Sequence, residues 1–198
     1  MQAKGEIVMV EVPESYRYYR GDRANKAALD LIIGHAGLPP GLDAAEWPSF
    51  YRVRLAAERV RTDFYSFLHG IWTETWGHVI DSECPNAKLG RSGDEDVDPS
   101  LDSVWSDRSI ANWVAITDEH WLWAKVGEAG DGDIQLGFSL QDPSGSFNWS
   151  DNVPLSNRWL AVDDDNTRLT RHGLLVIDTT VVTIETQLLR EAATEVIQ

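Results

Sequence analysis

The fold is decided by the residues from Phe50 to Ile80, which read FYRVRLAAERVRTDFYSFLHGIWTETWGHVI. Apolar residues recur in this stretch in alternating steps of three and four, and charged residues stand between them. The members of this apolar stripe are Phe50, Val53, Ala57, Val60, Phe64, Phe67 and Ile71. Such spacing is typical of an amphipathic helix. It predicts one helix over 49–80, roughly 48 Å long at ~1.5 Å per residue, with the whole stripe packed on the rest of the domain.

A strand and a shorter helix precede this stretch. The apolar run over 6–12 predicts a strand. Asp22 is a suitable N-cap for a helix over 22–36, and the Pro-Pro-Gly sequence at 39–41 separates that helix from the long one. Asp43 and Glu46 then have the spacing of a capping box. Because the loop between the two helices is short, we expect them to be antiparallel neighbours.

The second half of the chain has a different pattern. Residues 81–108 are rich in Pro, Gly, Ser and acidic residues and predict an acidic loop. Apolar and polar residues then alternate, as in half-buried strands. Strands are predicted over 113–117, 120–126, 134–141, 158–162 and 173–177, and the first two form a hairpin with its turn at Asp118 and Glu119. A closing helix is predicted over 181–196, with one apolar face made of Ile184, Leu188, Ala192 and Val196. The sequence therefore predicts a single α+β domain over 1–198, in which an N-terminal helical part with one long helix packs on a mostly antiparallel, Trp-rich sheet from 109–198.

The tryptophans of the second half favour an interior sheet. Trp121 and Trp123 fall on one face of a predicted strand, and Leu122, Ala124 and Val126 fall on the other. A strand that is apolar on both faces is usually buried on both. A platform for a sugar or a base, and a protein interface, remain as alternatives.

Negative charge is concentrated in the same half. The net charge is −15, of which residues 1–80 contribute −1 and residues 81–198 contribute −14. Phosphates would be repelled by the second half, which disfavours direct binding of nucleic acid. A basic protein would be attracted, and its encounter would be steered by charge. The alternative is that the acidity serves solubility alone.

The cysteine content, the apolar runs and the motifs of the chain indicate its compartment and whether it needs a cofactor. The single cysteine, Cys84, excludes an intramolecular disulfide and favours a reducing compartment. Its acidic neighbours are expected to raise the pKa of the thiol. No apolar run is long enough to span a bilayer, and the first residues, 1–5, lack the apolar region of a signal peptide. We therefore expect a cytoplasmic protein without membrane association, and no motif calls for a cofactor.

These features favour a non-enzymatic, acidic, protein-binding inhibitor. In its sharpest form it is a nucleic-acid mimic that occupies the DNA- or RNA-binding surface of a basic partner, such as a host-defence nuclease complex. Phage and mobile-element proteins offer the analogy. Carboxylates on alternate residues of an extended strand would form a row of charges, one every ~6.6 Å. Such a row would imitate the phosphates of a duplex, which presents one charge per ~1.7 Å of its axis. The expected partner-binding residues are Asp94, Glu95, Asp96, Asp98, Asp102, Trp105, Asp107, Asp163, Asp164 and Asp165, with Trp105 as an exposed apolar centre.

Two other classes of function remain open. The first is an assembly or interaction subunit that presents the Arg-rich face of the long helix. The second is an enzyme with a dispersed site near His78 and Asp81. Glu74, His78 and Asp81 would share one helix face, which suits a metal or an acid–base site. A hydrogen-bonded histidine near a helix end is the simpler interpretation of His78.

Overall fold

The computed structural model of the chain describes residues 8–19, 23–34, 41, 43, 45–89, 100–116, 121–128, 132–141, 158–161 and 169–198. In chain order the elements are strand β1 (Met9–Glu11), helices α1 (Glu14–Tyr19), α2 (Arg23–Gly34) and α3 (Trp47–Trp72), a π-helical segment (Thr73–Gly77), helix α4 (His78–Glu83), strand β2 (Lys88–Leu89), helix α5 (Leu101–Asp107), strands β3 (Ser109–Ala115), β4 (Trp121–Glu128), β5 (Ile134–Gln141), β6 (Leu160–Ala161), β7 (Leu169–Ile177) and β8 (Thr183–Glu185), and helix α6 (Gln187–Ile197). The predicted α+β class is confirmed.

The long helix runs without a break from α3 through the π-helical segment into α4. The capping-box contacts predicted for Asp43 and Glu46 are present in the turn that immediately precedes α3. The Glu46 amide donates to Asp43 Oδ1 (3.0 Å), and the Asp43 amide donates to Glu46 Oε2 (3.1 Å). Two backbone donors that the helix itself does not use are thereby satisfied. Pro48 lies in the first turn, where its missing N–H is not needed.

Six strands form one antiparallel sheet in the order β2-β3-β4-β5-β7-β6. The predicted hairpin is confirmed in its pairing, since Trp113 lies opposite Trp123 with the ring centroids 6.2 Å apart. Its expected turn at Asp118 and Glu119 lies outside the described residues. Strands β1 and β8 pair with each other in a separate two-stranded sheet, which brings residues from the two ends of the chain together.

The core lies between the second half of α3 and one face of the large sheet. The buried side chains of α3 join one apolar cluster with alternate residues of β3, β4 and β5. Two indoles also tie the long helix to β4, because Trp72 Nε1 donates to the carbonyl of Ala124 (3.4 Å) and Trp76 Nε1 donates to that of Lys125 (3.2 Å). Helix α6 packs against the π-helical segment and α4.

Only part of the apolar stripe is buried, so the expectation that all of it is packed is wrong. Phe64 and Ile71 are fully buried, whereas Val53 is 50% exposed. Phe50 and Val60 are half-buried. A period of three and four residues identifies the apolar face of a helix but does not report how far along the helix a partner reaches. Here the buried core ends near Ala57.

The predicted loop over 81–108 is wrong at three places. Helix α4 continues into it as far as Glu83, β2 pairs with β3, and α5 forms a short helix. Ser100 caps α5, since the Ser103 amide donates to Ser100 Oγ (3.1 Å). Residues 90–99 lie outside the part of the chain that the structure describes.

The closing helix starts later than predicted. The β-branched residues Val181 and Val182 precede strand β8, and α6 begins only at Gln187. Branching at Cβ restricts χ1 in a helix and suits an extended backbone, which accounts for the difference. Leu188, expected on the buried face, is therefore 55% exposed, while its neighbour Leu189 is buried.

The two tryptophans of β4 are not interior. Trp121 and Trp123 are half-buried on one face of the sheet, whereas Leu122, Ala124 and Val126 are buried on the other face. The prediction that both faces are core is wrong for these two side chains. Lys125 shares their face, and its ammonium lies 5.4 Å from the Trp123 ring centroid.

Candidate functional site

An open groove of about 670 Å³ lies between α1, α2 and α3. Its walls are mostly apolar. Helix α2 contributes Asn25, Ala28, Leu29 and Ile32, and helix α3 contributes Val53, Ala56, Ala57 and Val60. This size falls in the range of sites that hold ligand groups or side chains of a partner.

Both long walls of the groove follow the same helical spacing. On α2 the lining residues begin at Asn25 and recur at i, i+3, i+4 and i+7, and on α3 they do so from Val53. Each row therefore runs straight along its helix for two turns, about 10 Å. The groove is therefore long enough to receive about two turns of a third helix.

One end of the groove is acidic. Its charged lining residues are Glu14 and Asp63, and Asp63 comes one turn after Val60 on α3. Ser15 lies beside Glu14 and donates from its hydroxyl to Asp63 Oδ2 (2.7 Å), which holds the carboxylate in place. A cationic group at this end would meet two carboxylates, whereas the opposite end is apolar.

Helices α2 and α3 expose several large apolar side chains. Leu31 on α2 is 67% exposed, and Tyr51, Val53 and Leu55 on α3 are each exposed by two-fifths or more. Single exposed apolar residues are ordinary, and of these four only Val53 belongs to the groove lining. The sequence does not reveal the groove, because its α3 row has the same apolar period as the buried core.

Of the ten expected partner-binding residues, the structure describes Asp102, Trp105 and Asp107. Asp102 and Asp107 are exposed on α5, as an acidic binding surface requires. Arg61 of α3 donates to Asp102 Oδ1 (2.6 Å), so the charge of that carboxylate is partly compensated. The other seven, at 94–96, 98 and 163–165, lie outside the described residues.

Trp105 is not the exposed apolar centre that was expected. It is only 7% exposed and belongs to the core. Its ring meets that of Phe64 edge to face with the centroids 5.8 Å apart, and its indole N–H donates to Asp30 Oδ1 on α2 (2.9 Å). The acidic residues around it in the sequence suggested a surface position, but on a helix an apolar ring can face inward while its neighbours face water.

The fold does not bring Glu74, His78 and Asp81 together into a site. Both side chains are exposed, and Glu74 is instead engaged by Arg190 of α6, which forms an ion pair with its carboxylate and donates from Nε to its carbonyl (2.6 Å). Across the described ranges, no group of three or more His, Cys, Asp and Glu side chains is placed to hold a metal ion.

A buried ion pair joins α5 to the sheet. Arg108 follows α5 in a left-handed conformation (φ 54°), which costs a non-glycine residue about 1–2 kcal/mol. Its guanidinium lies over the Phe64 ring at 3.7 Å, and its Nε donates to Glu128 Oε2 (2.7 Å). The Tyr16 hydroxyl donates to the same carboxylate (3.2 Å). These contacts fasten α1, α3 and α5 to β4.

The environment of this pair affects its charges in a predictable way. Burial lowers the pKa of Arg108, while the negative charge of Glu128 raises it in opposition. An arginine remains cationic throughout the ordinary pH range even so. Arg108 is therefore a permanent positive charge, and a role as a proton donor or acceptor does not suit it.

Cys84 follows α4 and is half-buried. Burial raises the pKa of its thiol, and the negative charge of Glu83 raises it further. The expected direction is confirmed, although desolvation contributes more than the acidic neighbour. A thiol with a raised pKa is a poor nucleophile near neutral pH.

Comparison of the chain with models of protein families, with curated proteins and with solved structures gives no significant match. Among the described residues, no helix is both long and apolar enough to cross a membrane. The function must therefore be argued from the chemistry of the groove and of the charged surface.

Proposed function

We propose that this protein is a non-enzymatic, acidic inhibitor that binds a basic, nucleic-acid-binding protein and occupies its nucleic-acid-binding surface. The observation that carries the proposal is the concentration of charge, −14 in residues 81–198 against −1 in residues 1–80. Like charges at this density repel one another in the free protein. A cationic partner surface would relieve that repulsion and would be drawn in by long-range attraction.

The described part of the second half supports this proposal. Its exposed carboxylates are spread over several elements: Asp81, Glu83, Asp102, Asp107, Asp178, Glu185 and Glu191. Individual exposed ion pairs contribute little, generally below about 1 kcal/mol. Many of them together, with some apolar contact, are needed for useful affinity.

The test is capture of the partner by the immobilised chain. Binding should be strong at low salt and weak at high salt, because exposed charges are screened. If the surface mimics nucleic acid, an excess of duplex DNA or RNA should release the captured protein. The decisive variant neutralises four residues together: Asp94→Asn, Glu95→Gln, Asp96→Asn and Asp98→Asn. It should fold normally and bind at least tenfold more weakly, about 1.4 kcal/mol.

A matched control removes the same number of charges elsewhere in the acidic half. It carries Asp81→Asn, Glu83→Gln, Asp178→Asn and Glu185→Gln, all at exposed positions. It should reduce binding less than the first variant does. If both variants bound as tightly as the parent at either salt concentration, solubility would be the better account of the acidity.

An interaction subunit that uses the long helix is the second candidate. The observation that favours it is the set of exposed apolar side chains on α2 and α3, among them Leu31, Val53 and Leu55. This candidate needs no contribution from the acidic segments. Leu55→Gln should then weaken partner binding while the fourfold acidic variant leaves it unchanged, which is the reverse of the outcome expected for the inhibitor.

A further inference from the structure

We propose that the groove between α1, α2 and α3 receives an amphipathic helix of a partner protein, with a lysine or arginine of that helix facing Glu14 and Asp63. The inference rests on the proposed function in one respect, that the protein binds a basic protein. It does not depend on the acidic segments at 94–98 and 163–165.

The shape of the groove selects a helix. Its two walls present rows at i, i+3, i+4 and i+7, from Asn25 on α2 and from Val53 on α3. An incoming helix with apolar residues at the same spacing would place them between these rows, as in other helix-in-groove complexes. Ala28, Ala56 and Ala57 keep the trough open, because a larger side chain at any of them would extend into it.

The charge of the groove indicates where that helix carries a cationic residue. Both charged lining residues are carboxylates at one end, and Ser15 holds the carboxylate of Asp63 through a hydrogen bond (2.7 Å). An ammonium or guanidinium beside the last apolar residue of the incoming helix would pair with them. A second copy of this chain is disfavoured as the occupant, because two molecules that each carry −15 repel each other.

The test uses a synthetic peptide and the full chain. The peptide has about 18 residues, long enough to form a helix, with Leu at i, i+3, i+4 and i+7 and Lys residues after the last Leu. A second peptide differs only in carrying Glu in place of Lys. Binding of each fluorescently labelled peptide is followed by anisotropy. The Lys peptide should bind at least fivefold more tightly than the Glu peptide.

Two variants test the position. Ala28→Gln with Ala56→Gln fills the groove without adding charge, and both positions are exposed, so the fold should be retained. Its matched control is Ala27→Gln with Ser66→Gln, at exposed positions of the same two helices outside the groove lining. The groove variant should weaken binding of the Lys peptide at least tenfold, and the control less than twofold.

One more variant tests the acidic end. Asp63→Asn keeps an oxygen for the Ser15 hydroxyl but removes the charge, and should weaken the Lys peptide about threefold to tenfold while leaving the Glu peptide unchanged or slightly tighter. Asp81→Asn makes the same change at an exposed position off the groove and should have no effect.

The outcomes separate this inference from the proposed function. The fourfold variant at 94–98 should bind the Lys peptide nearly as well as the parent does, because the peptide contacts only the groove. Equal binding of the two peptides, or undiminished binding by the groove variant, would overturn the inference. Dimerisation of the chain through α2 and α3, measured by light scattering and abolished by the groove variant, would also overturn it. None of these results would affect the test of the acidic surface.

Discussion

The contrast between Phe64 and Val53 gives the sharpest test of the fold. Both belong to the same apolar stripe, yet Phe64 is fully buried and Val53 is 50% exposed. The Phe64 ring lies 5.6 Å from that of Tyr16 and 5.8 Å from that of Trp105, and it supports the guanidinium of Arg108 at 3.7 Å. Phe64→Ala removes a large side chain from a closed site, so it should lower the free energy of unfolding by about 3–5 kcal/mol.

The same substitution type at Val53 should have almost no effect. Its two half-buried methyl groups amount to about 0.8 kcal/mol of apolar burial, and the better helix propensity of alanine returns up to ~0.7 kcal/mol. Equilibrium unfolding in urea, followed by circular dichroism, measures both variants, with an unchanged slope as the sign of an intact two-state transition. Equal destabilisation by the two variants would mean that the stripe is buried along its whole length, and the described architecture would be wrong.

Three further outcomes follow from individual contacts. Glu128→Leu removes the carboxylate that pairs with the buried charge of Arg108 and should lower stability by about 3–5 kcal/mol. The double variant Arg108→Met with Glu128→Leu should recover most of that loss. No recovery in urea unfolding would contradict the electrostatic account. Asp43→Ala removes the capping box and should lower stability by ~0.5–2 kcal/mol in the same assay, and an unchanged midpoint would argue against it. The Cys84 thiol should react with iodoacetamide more slowly than a free cysteine up to a pH above the ordinary thiol pKa, because its raised pKa delays formation of the thiolate. Denaturant should abolish this difference in rate. Equal rates for the native protein and for free cysteine would refute the prediction.

Local sequence patterns predicted well those helices and strands that depend on residues close together in the sequence. The three–four period predicted the long helix to within a few residues of its observed ends, because helix formation depends on residues a few positions apart. Alternation over 134–141 gave strand β5 with the predicted bounds. Helix α5 was missed although Ser100 and Ser103 have capping spacing, because the acidic residues around them dominated the interpretation.

The candidate site could not be predicted, because it depends on where the core ends. Val53 and Phe64 are equivalent in the helical period, and only the extent of the sheet decides which of them is buried. The pair of Arg108 and Glu128 is also invisible in sequence, since it arises from the register that places Ser109 opposite Gly127. Trp105 shows the opposite error, in which local acidity concealed a contact with a distant helix.

The π-helical segment has a consequence for how this chain tolerates changes in length. Some buried residues of the long helix recur at every fourth position, as Leu68, Trp72, Trp76 and Ile80 do. In a regular α-helix such a row would turn by ~40° at each step, and the wider turn at Thr73–Gly77 takes back part of that rotation. This geometry is what one inserted residue produces in an α-helix. Deleting one residue there would remove the ~100° that it contributes, while the return to regular, tighter winding would add back a similar angle, so α4 would keep Ile80 toward the core. The segment is therefore the place where the long helix can lose one residue without turning its buried face away from the core, a tolerance that no exchange of one side chain for another would reveal.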